Sequence, residues 1–180
     1  YLHGTYFVVG HFHFVMGVAA MFGIFAGTYY WFPKMFGRMM NETLGKWHFA
    51  LTFLGVYATF MPMHWLGLTG NVRRYSSFPS DYMHGSLPLH RFITFSALFL
   101  GAAQLIFLVN LLWSRLRGPI ATANPWEATS LEWSVPSPPP FDNFGGVHPV
   151  VSYGPNELGV SGPRGDYIMQ ADAPGAAATA

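Results

Sequence analysis

The sequence has 180 residues, of which 51% are hydrophobic and only 9% charged, whereas a soluble domain usually carries about 25% charged residues. This deficit predicts a membrane protein. The net charge of +1 excludes the basic surface that nucleic-acid binding requires. The chain contains no Cys, which excludes disulfides, zinc–thiolate sites and iron–sulfur clusters within it. Any metal bound by this chain must therefore use His or oxygen ligands.

Three stretches lack Lys, Arg, Asp and Glu altogether: residues 1–33, 47–72 and 92–114. Each is longer than the roughly 20 residues that cross a hydrocarbon core of about 30 Å. A backbone at that depth must satisfy its own hydrogen bonds, which predicts helices. We expect a transmembrane region over residues 1–117, with spans at about 5–33, 44–69 and 88–116. Pro62 lies inside the second span and is expected to kink it.

The positions of Lys and Arg predict the topology. One end of the helices carries five of these residues and the other end carries three: Lys34, Arg38, Lys46, Arg115 and Arg117 against Arg73, Arg74 and Arg91. The positive-inside rule then places the first linker and the C-terminal tail in the cytoplasm.

The composition changes after Gly118, because 10 of the 14 Pro residues lie between Pro119 and Pro174. Such a segment does not supply enough apolar surface for a core of its own. We therefore predict an all-α integral membrane fold of three spanning helices, followed by an extended Pro- and Gly-rich cytoplasmic tail over residues 118–180.

The motif His11-Phe12-His13 lies one to two turns into the first span. Residues i and i+2 of a helix are about 200° apart, so the two imidazoles cannot chelate one metal together. They could each bind a separate cofactor on opposite sides of the helix, since neutral imidazole is a common axial ligand of haem iron. A packing or proton-relay role for either histidine is the alternative.

Arg73 and Arg74 lie in the loop on the side that the positive-inside rule disfavours, which indicates an anionic partner. Haem propionates are one candidate, because Arg pairs strongly with carboxylates. Lipid headgroups and the carboxylate of Asp81 are the others. His48, near the cytoplasmic end of the second span, is expected to be an interfacial packing residue.

Several motifs in order resemble subunit I of the haem-copper respiratory oxidases, of the cytochrome c oxidase type. The segment His3–Val15 is similar to the start of that subunit's tenth helix, and the likeness runs to about residue 146. Further matching motifs are Trp31-Phe32-Pro33, Gly67-Leu68-Thr69-Gly70, Arg73-Arg74-Tyr75-Ser76 and the bacterial-like tail segments Asn124–Glu127, Leu131–Trp133 and Pro138–Pro140. The resemblance implies the last three of twelve helices of a multi-pass protein of the bacterial plasma membrane. The sequence begins at Tyr1 without a charged leader, so we expect it to be part of a longer subunit.

The resemblance also implies roles for single residues. His11 would be the catalytic proximal ligand of the high-spin haem at the oxygen-reducing site, and His13 an axial ligand of the low-spin haem. Arg73 and Arg74 would pair with the propionates of these two haems, which are expected to be of the A type. His3 occupies the place of a magnesium ligand, but Gly4 replaces the neighbouring Asp, so this site is expected to lose tight magnesium binding or to take a ligand from elsewhere.

The implied reaction is the reduction of dioxygen to water with coupled proton pumping. The copper ligands would lie outside this chain, so the chain alone is expected to be inactive. The implied partners are the upstream part of subunit I, subunits II and III, membrane lipid, and cytochrome c or quinol as the electron donor. Two alternatives are a nitric-oxide reductase of the same superfamily and a haem-free polytopic transporter or assembly subunit.

Overall fold

A computed structural model describes residues 1–77, 81–155, 158–162 and 165–173 of the protein. Three helices in it are long and apolar enough to cross a membrane: Tyr6–Phe36, Glu42–Leu68 and Leu87–Arg117. The predicted all-α membrane fold with three spanning helices is thus confirmed. A single-turn helix, Asp81–His84, precedes the third of them. The chain forms two compact units, Tyr1–Tyr29 with Asn41–Trp113, and Tyr30–Met40 with Ser114–Ala180.

The first helix begins at Thr5, whose hydroxyl accepts a hydrogen bond from the backbone N–H of Phe7. It is α-helical over Tyr6–Phe12 and again over Ala19–Phe36, and π-helical over His13–Val18. Single π-helical turns inside α-helices occur frequently at functional sites. The one in this helix begins at the second histidine of the His-Phe-His motif.

The second helix is the central element of the first unit. Asn41 caps it, because its side-chain oxygen accepts a hydrogen bond of 2.9 Å from the backbone N–H of Leu44. Pro62 lies within the continuous helix Glu42–Leu68. In the most apolar stretch of 18 residues in this helix, 39% of the residues are buried. The corresponding buried shares are 6% in the first helix and 17% in the third. The first helix therefore leaves most of its surface uncovered.

The loop after the second helix folds back onto the start of the first helix. The backbone N–H of Tyr6 donates to the carbonyl of Asn71 at 3.0 Å, and the N–H of Arg73 donates to the carbonyl of Gly4 at 2.9 Å. Thr5 and Val72 form an isolated β-bridge between these two bonds. This backbone pairing fixes Arg73 beside the N-terminal end of the helix that carries His11 and His13.

The second unit is organised around the buried side chain of Lys34. Its ammonium donates hydrogen bonds to three backbone carbonyls, those of Ala123 at 2.9 Å, Val135 at 2.5 Å and Pro136 at 3.4 Å. An ammonium has three donors, so these carbonyls satisfy all of them. The ammonium also lies 5.0 Å from the centre of the Trp133 ring. An extended chain is thereby tied to the end of the first helix.

The described tail contains little regular structure but has a small apolar core. Its elements are a 3-10 turn, Leu131–Ser134, and two short antiparallel strands, Leu158–Gly162 and Gly165–Tyr167. The buried apolar tail residues are Trp133, Val135, Ile168 and Met169. The indole N–H of Trp133 donates to the Tyr30 hydroxyl at 2.8 Å. Trp133 therefore links the apolar core of the tail to the first helix through both packing and a hydrogen bond.

Replacing Gly67 by alanine should destabilise the first unit. A Cβ at Gly67 would overlap the backbone nitrogen of Phe7 and lie 2.6 Å from its Cα, so the first and second helices would have to separate. We expect a loss of about 1–3 kcal/mol, measured as a lower thermal unfolding midpoint of the purified complex.

Gly101→Ala is the matched control, because a Cβ at this helical position has no atom within 4 Å. This change should be neutral or slightly stabilising, since glycine is a poor helix former. Equal midpoints for the two variants would contradict the proposed close contact between Gly67 and Phe7.

Candidate functional site

The side chains of His11 and His13 both lie on the uncovered surface of the first helix. Polar and ionisable groups at membrane depth are costly, and they face a protein interior, a cavity or a partner rather than lipid. Exposed Phe12, Val15 and Met16 surround them. The two imidazoles therefore mark a surface that another part of the protein or a cofactor covers.

His13 is held in one orientation by a hydrogen bond and a ring contact. Its Nδ1 lies 2.7 Å from the carbonyl oxygen of Val9, and because a carbonyl only accepts, Nδ1 carries the proton. Nε2 of the neutral ring then presents a lone pair. The ring stacks on Phe60 of the second helix, with centroids 4.5 Å apart. A metal-binding histidine is typically oriented in this way, with its second nitrogen donating to a backbone carbonyl.

His11 has different neighbours. Its ring lies beside Phe7 and Phe12 of its own helix, with centroid distances of 6.4 and 6.0 Å. Within the described ranges its side chain has no hydrogen bond. The two imidazoles thus meet different groups, as expected for helical positions two residues apart. They are suited to two separate ligands rather than to one shared metal.

Small residues follow His13 along the first helix. A Cβ added at Gly17 would meet only the His13 ring, at 3.9 Å, and one added at Gly23 would meet nothing within 4 Å. Ala19 and Ala20, also exposed, lie between these glycines. A planar group such as a haem could approach this surface closely, with the Nε2 lone pair of His13 as an iron ligand. The residues present therefore fit a haem.

Arg73 and Arg74 lie on the loop that pairs with the start of the first helix. Arg73 is half-buried and Arg74 is exposed, and Arg74 has a φ of 63°. A non-glycine residue in this left-handed region costs on the order of 1 kcal/mol, and such strain clusters at functional sites. The only salt bridge among the described residues joins Lys46 and Glu42. The side chain of Asp81, the third candidate partner, lies outside the described part of the chain.

The residues around His3 do not fit magnesium. His3 is exposed, and Gly4 offers no side-chain oxygen. In the described part of the chain no three His, Cys, Asp or Glu side chains come together. Magnesium prefers carboxylate and water oxygens in octahedral geometry, and no triad of possible ligands including a carboxylate is found among the described side chains.

A polar network near the arginines was not predicted from the sequence. The Tyr6 and Tyr75 hydroxyls are 3.3 Å apart, and Nδ1 of His90 is 3.4 Å from the Tyr75 hydroxyl. Nε2 of His90 is 3.3 Å from the side-chain oxygen of Asn71, to which Ser86 donates. Burial, aided by the hydrogen bond to Tyr6, holds the pKa of the Tyr75 hydroxyl well above its ordinary value. Because these residues are far apart in sequence, no spacing signal could have identified them.

His48 belongs to a second network, inside the bundle. It is only 2% exposed. Its Nδ1 is 3.3 Å from the Tyr29 hydroxyl and its Nε2 is 3.1 Å from the side-chain oxygen of Gln104. Gln104 in turn donates to Thr52. His48 is therefore a buried, hydrogen-bonded packing residue that links all three helices, and its position at the membrane interface stays a prediction.

Comparison with known proteins identifies the relatives of this chain. Residues 1–99 match the family described as "Cytochrome C and Quinol oxidase polypeptide I". The chain is 46% identical over 160 residues to cytochrome c oxidase subunit 1 of Synechocystis sp., which covers 89% of this chain and 28% of that protein. It is 45% identical over 179 residues to the alternative cytochrome c oxidase subunit 1 of Bradyrhizobium diazoefficiens, covering 96% and 30%. Against cytochrome c oxidase subunit 1 of Bacillus subtilis it is 43% identical over 145 residues, covering 79% and 23%.

The chain thus spans less than a third of the length of these curated relatives. The family match extends from the start of the chain into the third helix and includes both histidines and both arginines discussed above. On the family match and on these identities, the chain belongs to the cytochrome c and quinol oxidase polypeptide I family.

Proposed function

We propose that this chain is the C-terminal part of subunit I of a terminal oxidase that reduces dioxygen to water, and that it supplies haem ligands to that enzyme. The observation that carries the proposal is the pair of imidazoles on the uncovered first helix, one of them oriented through the Val9 carbonyl. The relatives named above are all oxidase subunits. None of these named relatives is a nitric-oxide reductase or a haem-free transporter.

In this proposal His13 binds the low-spin haem and His11 binds the high-spin haem at the oxygen-reducing site. The bound haems would accept and store electrons, and together with copper held outside this chain they would form the site of oxygen chemistry. The type of haem is proposed to be A, as the resemblance implies. The hydrogen bond from His13 Nδ1 to Val9 strengthens Nε2 as a donor to iron. The apolar side chains around the motif, which are exposed in this chain, would exclude water once a cofactor or another part of the subunit covers them.

Arg73 and Arg74 would neutralise the propionate carboxylates. Their positive charge near the cofactors favours the reduced state, because an added electron is stabilised by a nearby cation. The Arg73 N–H bond to Gly4 and the left-handed backbone of Arg74 support this role. A guanidinium also offers two parallel donors to one carboxylate, which fixes its orientation.

The remaining parts of the function concern the whole enzyme. Electrons would come from cytochrome c or quinol, with subunits II and III and the upstream part of subunit I as partners. Protons would be taken up from the cytoplasm and others pumped outward. The count of Lys and Arg supports a cytoplasmic tail in a bacterial plasma membrane. The transmembrane region over residues 1–117 and the tail over 118–180 are parts of the same proposal.

His11→Ala should remove the high-spin haem, or its binding of carbon monoxide, while much of the low-spin absorption spectrum survives. His13→Ala should have the reverse effect, because each imidazole serves a different iron. Both changes should reduce oxygen consumption by several orders of magnitude. The measurement is a reduced-minus-oxidised spectrum of the purified complex with and without carbon monoxide.

His148→Ala, in the exposed tail, is the control and should leave both spectra unchanged. Full haem content and normal oxygen consumption in the His11 and His13 variants would refute the ligand assignment.

Arg73→Gln or Arg74→Gln should lower the reduction potential of a nearby haem by an amount on the order of tens of millivolts. The loss of one positive charge makes the added electron less favourable. Spectroscopic redox titration of the complex measures the shift. The Arg→Lys variants keep the charge and the backbone conformation, so their potentials should stay near that of the wild type. Equal shifts for Gln and Lys would contradict a charge effect.

The wild-type complex should retain no stoichiometric magnesium ligated by His3, whereas Gly4→Asp should gain it. The space at Gly4 is open, with no atom within 4 Å of an added Cβ, so a carboxylate can be accommodated there. Metal analysis after exhaustive chelation, before and after addition of magnesium, gives the readout. One tightly held magnesium per wild-type complex, at His3 with ligand distances of about 2.1 Å, would contradict this expectation.

A further inference from the structure

A cavity of about 470 Å³ lies in the first unit, between the C-terminal part of the second helix and the first turns of the third. Its apolar lining is formed by Met63, Leu87, Ile93 and Phe95. Its polar lining is formed by Tyr6, Tyr75, His90, Arg91 and Thr94. The cavity therefore combines a hydrophobic wall with hydrogen-bond donors and a cation.

The polar wall is held together by the network described above. The Tyr6 hydroxyl contacts that of Tyr75, and the Tyr75 hydroxyl contacts Nδ1 of His90. Each hydroxyl has one proton, which it can direct toward a bound anion in place of its partner in this network. Arg91 adds a full positive charge directly beside His90.

Arg91 lies in the first turns of the third helix and directly precedes the uncharged stretch 92–114, so it is expected at the edge of the hydrocarbon core. It is exposed, and within the described ranges it takes part in no salt bridge. The region of lipid headgroups begins at this depth. An arginine here pairs well with phosphate, to which the guanidinium fork is complementary.

Below Arg91 an apolar stripe continues along the same face of the third helix. Its members recur at helical spacing and all are exposed: Phe95, Leu98, Ala102, Leu105, Val109 and Leu112. Residues four and seven positions after Arg91 lie on its side of the helix. Phe95 is 70% and Leu98 66% exposed. The surface thus runs from a cationic, donor-rich cavity at the interface into hydrocarbon without a break.

We propose that the cavity binds the phosphate headgroup of an anionic membrane phospholipid, with an acyl chain lying along the stripe from Phe95 toward Leu112. The cation and hydroxyl donors match the phosphate, and the contiguous apolar stripe matches the chain. Free phosphate would leave the stripe and the apolar cavity wall without an occupant. A purely apolar protein helix packed on this surface would leave the positive charge of Arg91 without an anionic partner. This proposal does not depend on haem binding by His11 or His13.

The test is lipid binding by the purified complex that contains full-length subunit I. After delipidation by detergent washing, phosphatidylglycerol is added and bound lipid is counted by native mass spectrometry. We expect retention of one tightly bound phosphatidylglycerol at this site, and a loss of affinity of about tenfold or more in Arg91→Gln. Phe95→Asn should weaken binding as well, because it interrupts the apolar stripe. Phosphatidylcholine, which has no net charge, should bind more weakly.

Lys46→Gln is the matched control, since Lys46 is an exposed cation of the same unit that is paired with Glu42, and it should bind phosphatidylglycerol like the wild type. Unchanged binding in Arg91→Gln would overturn the proposal. Displacement of the lipid by millimolar inorganic phosphate would overturn it in favour of a free anion. Efficient cross-linking of the Leu98→Cys variant to another protein segment would overturn it in favour of a protein occupant.

Discussion

The arrangement of the first unit depends on the backbone pairing between the outer loop and the start of the first helix. The bonds from Tyr6 to Asn71 and from Arg73 to Gly4 join segments about 70 residues apart. They form only because Gly67 has no side chain, which lets the backbone of Phe7 approach the second helix. A backbone hydrogen bond is short and directional, so this pairing fixes the arginines relative to the helix that carries both histidines.

A second constraint is the cost of polar groups at membrane depth, and the molecule meets it in two ways. Inside the bundle, His48 is paired with Tyr29 and Gln104, so its polar atoms are satisfied by neighbouring helices. On the first helix, His13 satisfies one nitrogen through its own backbone and leaves the other available. The same residue type is thus structural at one position and suited to a ligand role at another. The difference lies in which nitrogens are already bonded and in whether the surface is covered.

In the second unit, a Pro-rich segment with few apolar residues packs with the help of hydrogen bonds. Lys34 contributes three hydrogen bonds to carbonyls of the extended chain, and Trp133 packs beside it and bonds to Tyr30. An extended segment has carbonyls that are not used in helices or sheets, and a buried ammonium can serve several of them. An ammonium that forms no salt bridge among the described residues is thereby accommodated. The end of the first helix provides the surface on which this packing takes place.

The sequence by itself determined the class of fold, because charge-free stretches longer than 20 residues have only one way to satisfy their backbone in lipid. It also determined that His11 and His13 face different neighbours, since helical geometry separates positions i and i+2. The family could be recognised from the sequence because its motifs occur in the same order along the chain. Only the tertiary structure decided the contacts between distant segments, such as Tyr75 with His90, Lys34 with Val135, and Arg91 with its cavity. These contacts depend on helix packing and loop closure, and no local pattern in the sequence encodes which side chains then meet.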